Sequence, residues 1–260
     1  MSHLSIYSIV FLLIFHSCSL IFESGGEEPD GSVGQIMFPA STIDVPDSVK
    51  QTYKMDAERL ALRDIQTDVT KKSTLIKIPT GLVDLYFNGL LHIYHAENVE
   101  EQENVVKVYN IHTLHRPETK HLLVAVDTTV QWVKMWQEGY RFTGNVQIDK
   151  LLSEYKLDLN KYHRWENRHL VELEAENALN ILALSQKFIG IDGVIYAEPN
   201  NVVGDGNDIS AFRKSDYVVY EYSLGYGDCL AGCIHKHYWT FRVSYNGNVE
   251  FVNSYGSPLK

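Results

Sequence analysis

The chain holds only three cysteines, has no surplus of positive charge and contains no long apolar stretch. Three Cys cannot build the multi-bridge framework of a small secreted scaffold. Lys and Arg number 23 against 33 Asp and Glu, a net charge of −10, so the surface is not of the kind that grips phosphate backbones and no nucleic-acid partner is expected. The leading apolar run, Ile6 to Phe15, is too short to span a bilayer. HExxH, GxSxG, a Walker glycine loop and a dinucleotide fingerprint are all missing, and with them the direct signatures of zinc-protease, hydrolase and nucleotide chemistry. What remains, at 45% hydrophobic and 22% charged residues, is the composition of an ordinary folded protein.

The Ile6–Phe15 run has the length of a signal-peptide core and predicts export. Phe15-His16-Ser17-Cys18 follows it directly and resembles the lipobox at which bacterial lipoproteins are cleaved and acylated on the new N-terminal Cys. The n-region has no Lys or Arg, and Phe15 and His16 replace the usual lipobox residues. The resemblance implies a leader over 1–18, lipidation at Cys18, a flexible acidic tether over 19–46 and a membrane partner reached through the lipid. A diacylated cysteine supplies the two chains that stable anchoring needs. Plain secretion with Cys18 free or paired, and a plain transmembrane anchor, are the other readings. If lipid consumes Cys18, the odd count closes, because Cys229 and Cys233 are left as one pair.

From Asp47 the pattern becomes helical. Asp47 or Ser48 can cap a helix with apolar positions Val49, Tyr53, Leu60 and Ile65, and after Pro79 a second stripe runs through Leu82, Leu85, Tyr86, Leu90 and Ile93. Residues 47–120 thus form an N-terminal helical part. Residues 121–204 alternate: a strand at Leu122–Asp127, helical pieces in "TTVQWVKMWQEG" and "VQIDKLLSEYKL", strands at 157–165 and 169–174, a helix capped by Asn177, and a strand in "GVIYAEPN" ended by Pro199. Strand, helix, strand, strand, helix, strand is the order of a ferredoxin-like unit. Residues 205–260 read as an antiparallel β-meander of three strands. Val218, Tyr220, Tyr222 and Leu224 alternate, Trp239, Phe241 and Val243 do the same, and Asn246-Gly247 turns the chain into Val249–Val252. The fold class is α+β, with the preceding ferredoxin-like unit as the expected packing partner of the meander.

"ALNILALSQKFIGIDGVIYAEPN" resembles the closing helix and strand of the propeptide-type inhibitor domains of subtilisin-like proteases. "YAEPN", "GDG" and the GDCxxGC stretch followed by "YWTF" together resemble a group of exported lipoproteins of Bacteroidota-like bacteria. The first resemblance implies a protease or other extracellular protein as partner; the second implies compartment and fold and no chemistry.

The candidate sites are few. Cys229 and Cys233 lie in a glycine-rich connection that can form a disulfide; the Cys-x3-Cys spacing is not that of thioredoxin-like redox motifs. His235 and His237 share one strand face, so Cys229, Cys233, His235 and His237 can also be drawn around a zinc ion. His92 with His95 and His112 with His115 have i,i+3 spacing, but no carboxylate pattern supplies a third ligand. Asp205, Asn207 and Asp208 in "GDGNDI" resemble one calcium-binding turn, or else an Asx-type turn. The aromatic run Tyr217, Tyr220, Tyr222, Tyr226, Tyr238, Trp239 can line a groove or fill a core. The expected function is a non-enzymatic protein- or ligand-binding module of the cell envelope, without cofactor or catalytic residues. The alternative is a metal-dependent extracytoplasmic enzyme using the zinc set.

Overall fold

A computed structural model describes Phe38 and residues 45–165 and 168–259. Cys18, the leader and nearly all of the tether lie outside the described residues. Helix α1, Asp47–Thr67, follows Pro46, and no side chain caps it. Asp47 therefore stands in the first turn, where negative charge suits the helix dipole, rather than at the cap expected of it or of Ser48. The buried face of α1 carries Tyr53, Ala57, Leu60, Ala61 and Ile65 at helical spacing, together with the polar Asp56 and Arg59. A short α2, Val69–Thr74, is capped by Asp68, which accepts from the backbone N–H groups of Thr70 and Lys71. Helix α3, Thr80–His95, buries the anticipated stripe Leu82, Leu85, Tyr86, Leu90 and Ile93 and packs along α1. A π-helical turn at Asn104–Val108 precedes the central unit.

That unit runs β1 (His121–Val126), α4 (Val133–Gln137), α5 (Val146–Glu154), β2 (Leu157–Trp165), β3 (Arg168–Ala175), α6 (Ile181–Phe188) and β4 (Val194–Pro199). Its sheet has the order β2-β3-β1-β4 with every pair antiparallel, the split arrangement of a ferredoxin-like fold. Val124 sits opposite Val171 on one side and Ala197 on the other. Strand alternation sends Leu122, Val124, Val126, Val171 and Leu173 to the face covered by the helices, where they meet Trp136, Ile148, Leu152, Leu184 and Phe188. The cap of α6 is Asn180, not Asn177. Asn180 is buried, accepts from the Ala183 N–H, and donates to the carbonyls of Lys72 and Leu75, which ties the end of α2 to the start of α6.

The C-terminal meander has four strands rather than three: β5 (Asp208–Arg213), β6 (Tyr217–Tyr226), β7 (His235–Ser244) and β8 (Val249–Gly256), in sequential order. Its inner face carries Ile209, Val218, Tyr220, Tyr222, Trp239, Phe241 and Val243, all fully buried. These residues share a core with α1 and α3, and the ferredoxin-like unit closes a separate core of its own. The expected partner of the meander is thereby corrected. Two apolar helix faces lay unspent at the start of the chain, and burying Phe241 or Val243 there stabilises by about 1.5–3 kcal/mol each. Close approach is made possible by Gly89, whose Cα lies against the Tyr220 ring, so that the Tyr220 hydroxyl reaches the Tyr86 carbonyl at 3.2 Å.

Candidate functional site

The glycine-rich cysteine stretch is the tip of the β6–β7 hairpin. Cys229 and Cys233 lie at disulfide-bonding distance, as the staple reading expects. The register pairs Tyr226 with His235, whose ring stacks on it with centroids 5.1 Å apart. His237 donates from Nδ1 to the Ser257 carbonyl at 2.8 Å and meets Trp239 edge to face at 4.5 Å. Both imidazoles are thus turned to aromatic rings and to the end of β8, while the two sulfurs face each other. Among the described residues no group of three or more His, Cys, Asp or Glu is arranged to hold a metal ion.

The calcium-like turn is spoken for by protein donors. Asp205 accepts from Lys236 Nζ at 2.8 Å and from the N–H groups of Gly206 and Cys233; the lysine is the main reason its carboxyl is held below the ordinary range. Asn207 accepts from the Gly225 N–H at 3.1 Å. Asp208 takes a two-pronged grip from Arg63 at 3.0 and 3.1 Å and a further bond from the Leu114 N–H at 2.8 Å. The three side chains splay towards three different elements. They fasten β5, β6 and the hairpin tip to α1 and to the connection before β1.

Neither histidine pair converges. His92 lies against Phe38 with a buried Nε2 that has no hydrogen-bond partner among the described residues, and burial first, then the neighbouring His95, lowers its pKa. His115 is lowered too, by burial and then by Arg59. His112 instead joins a residue that periodicity alone did not single out. Asp56, wholly buried on α1, accepts from His112 Nδ1 at 2.7 Å, from the Thr113 N–H at 2.9 Å and from Thr113 Oγ1 at 2.6 Å. A buried carboxylate that orients an imidazole through Nδ1 is the back half of many catalytic triads. Here the outward Nε2 is met by Asn110 Oδ1 at 3.3 Å rather than by a hydroxyl or thiol, so the unit works as a polar bolt between α1 and the 110–118 connection. A carboxylate lying between Tyr53 and Leu60 on an otherwise apolar stripe was the available signal.

A second polar constellation lies on the sheet face of the ferredoxin-like unit opposite its helices. Glu172 on β3 is bracketed by His121 Nδ1 on β1 at 3.1 Å and His163 Nε2 on β2 at 3.5 Å, and it accepts from Asn160 Nδ2 at 3.2 Å. Beside it Leu123, Ala125, Leu170 and Tyr196 stand in adjoining register positions; Ala125 and Leu170 are buried, though in neither of the two cores. Trp165, Ile195 and Tyr196 are exposed. Of the aromatic run, Tyr220, Tyr222 and Trp239 are core and only Tyr217, Tyr226 and Tyr238 reach the surface.

Comparison of the chain with protein-family models, with curated proteins and with solved structures returns no match. No described helix is long and apolar enough to cross a membrane.

Proposed function

We propose that the chain is an exported, lipid-anchored binding module without catalytic chemistry of its own, which engages an extracellular protein through the open face of the β2-β3-β1-β4 sheet. One observation carries the reading: the described helices α4, α5 and α6 that pack on this sheet lie on one face of it. The other face carries the exposed Tyr196, the half-buried Leu123 and the buried Leu170, with a polar edge at His121, Glu172 and His163. Buried apolar centres within polar rims are how protein interfaces are built. The leader-like Ile6–Phe15 run and Cys18 support the envelope location, and the likeness of residues 178–200 to protease-propeptide domains supports a protease as the first partner to try.

The test is an inhibition assay with a panel of subtilisin-like proteases. Inhibition of any member, weakened at least about tenfold by Leu123→Arg with Tyr196→Arg, supports the reading. Full protease activity in excess protein across the panel removes the protease from it. Equal inhibition by the open-face variant removes the open face.

A further inference from the structure

The ferredoxin-like unit also has a groove on its helical side, and the hairpin tip presents exposed apolar side chains beside a carboxylate. The tip presents Leu230 at 84% and Ile234 at 68% exposure, and Val203, at 92%, stands on the neighbouring connection. Scattered exposed aliphatics are ordinary, but these are held in place. The Cys229–Cys233 pair closes the tip, the Asp205 N–H donates to the Cys229 carbonyl at 2.8 Å, and the Asp205 carboxylate binds both the Cys233 N–H and Lys236. With Lys236 neutralised in that way, Asp228 is the charge left at the apex, and among the described residues its carboxylate accepts only from the nearby Leu230 N–H at 3.2 Å.

The groove, about 520 Å³, runs between α5 and the turn after α6. Leu151 and the exposed Ile189 line it together with Lys150, Lys187 and Glu154. Its volume lies within the range of sites that bind small ligands. Neither Lys150 nor Lys187 has an ion-pair partner among the described residues, and neither has Asp228, which the tip carries beside two aliphatic side chains. The two lysines and Asp228 are opposite in sign, and with Glu154 counted the groove keeps one net positive charge.

We propose that the stapled tip of one copy docks in the α5–α6 groove of a second copy, with Leu230 and Ile234 entering the groove and Asp228 meeting Lys150 and Lys187. The contact is head to tail, so each copy keeps one free tip and one free groove and the assembly grows rather than closing as a two-fold dimer. The net charge of −10 on every copy opposes it at a distance. Association is accordingly weak in dilute solution and is favoured where copies are held at high local concentration.

Sedimentation velocity of the full chain from about 10 μM to about 1 mM tests this. The expected result is a weight-average mass that rises with concentration, with Leu230→Glu at the tip and Ile189→Glu in the groove each weakening association at least about tenfold. The mixing experiment is the decisive one. A chain with a disabled tip and a chain with a disabled groove should each remain monomeric alone yet form one-to-one dimers, and nothing larger, when combined. A monomer at every concentration overturns the proposal, as does association that Leu230→Glu leaves unchanged or a mixture that behaves like its separate components. Both substituted residues are exposed, so unchanged circular dichroism and thermal midpoint confirm that loss of association is not loss of fold.

Discussion

Asp56→Ala should be among the most damaging single polar substitutions in the helical layer. Three donors lose their acceptor at once: the Thr113 N–H, Thr113 Oγ1 and His112 Nδ1. Thr113 is buried, so its two groups bear their desolvation cost in full, about 1–3 kcal/mol each; His112 is part-exposed and regains water. The sum, discounted for relaxation and for the loss of Asp56's own burial cost, comes to about 2–5 kcal/mol, against a typical domain stability of about 5–15 kcal/mol. Asp56→Asn should cost less, about 0.5–2 kcal/mol, because one oxygen still serves Thr113 while the amide forces His112 to change its tautomer. His112→Ala removes one bond at the wetter end and should cost least. Urea denaturation of the three variants, at unchanged m-value, reads the order directly. If Asp56→Ala shifts stability by less than about 0.5 kcal/mol, or by no more than His112→Ala does, the polar bolt is not what joins α1 to the 110–118 connection.

Gly89→Ala would set a methyl group into the Tyr220 ring and its hydroxyl, an overpacking cost of about 1–3 kcal/mol, of which Tyr220→Phe in the same chain should recover a part; a double mutant that is no more stable than Gly89→Ala alone would place the strain elsewhere. The depressed pKa of His92, whose ordinary value is 6.5, gives stability a definite slope with pH. Below pH 6.5 the unfolded chain takes up a proton that folded His92 resists, so stability present above that value is lost as the pH falls, and His115 acts in the same direction. Thermal midpoints between pH 7.5 and 5 should fall less steeply in His92→Gln than in the native chain; parallel curves would refute the assignment.

The ferredoxin-like order was legible because each of its elements carries its own period: a two-residue alternation in the strands and a three-to-four-residue spacing in the helices. The Asn246-Gly247 turn between β7 and β8 and the paired cysteines of the tip were local signals of the same kind. Strand β5 was not legible. Its residues, Asp208 to Arg213, turn Phe212 to solvent and follow a Gly-Asp-Gly stretch, so they read as a loop, and the groups that hold Asp208 in place are the Arg63 guanidinium and the Leu114 backbone N–H, far back in the chain. The packing partner of the meander was hidden for a related reason. Alternation tells which face of a strand is apolar but not which other apolar face it will meet. The cap of α6 at Asn180 and the His121–Glu172–His163 line likewise depend on neighbours that only strand order and tertiary packing bring together.

The joint core of α1, α3 and the second sheet also sets a timetable. Its first half is synthesised by His95, yet its other half begins only at Asp208, after the whole ferredoxin-like unit has emerged. At roughly 5–20 residues per second the apolar stripes on α1 and α3 wait several seconds or longer for Tyr220, Trp239 and Phe241 to arrive. A chain truncated before β5 would present those stripes permanently. Quality control in the cell would meet it as a folded central unit trailing a sticky helical pair, and such fragments are candidates for chaperone capture and proteolysis rather than for a stable half-protein.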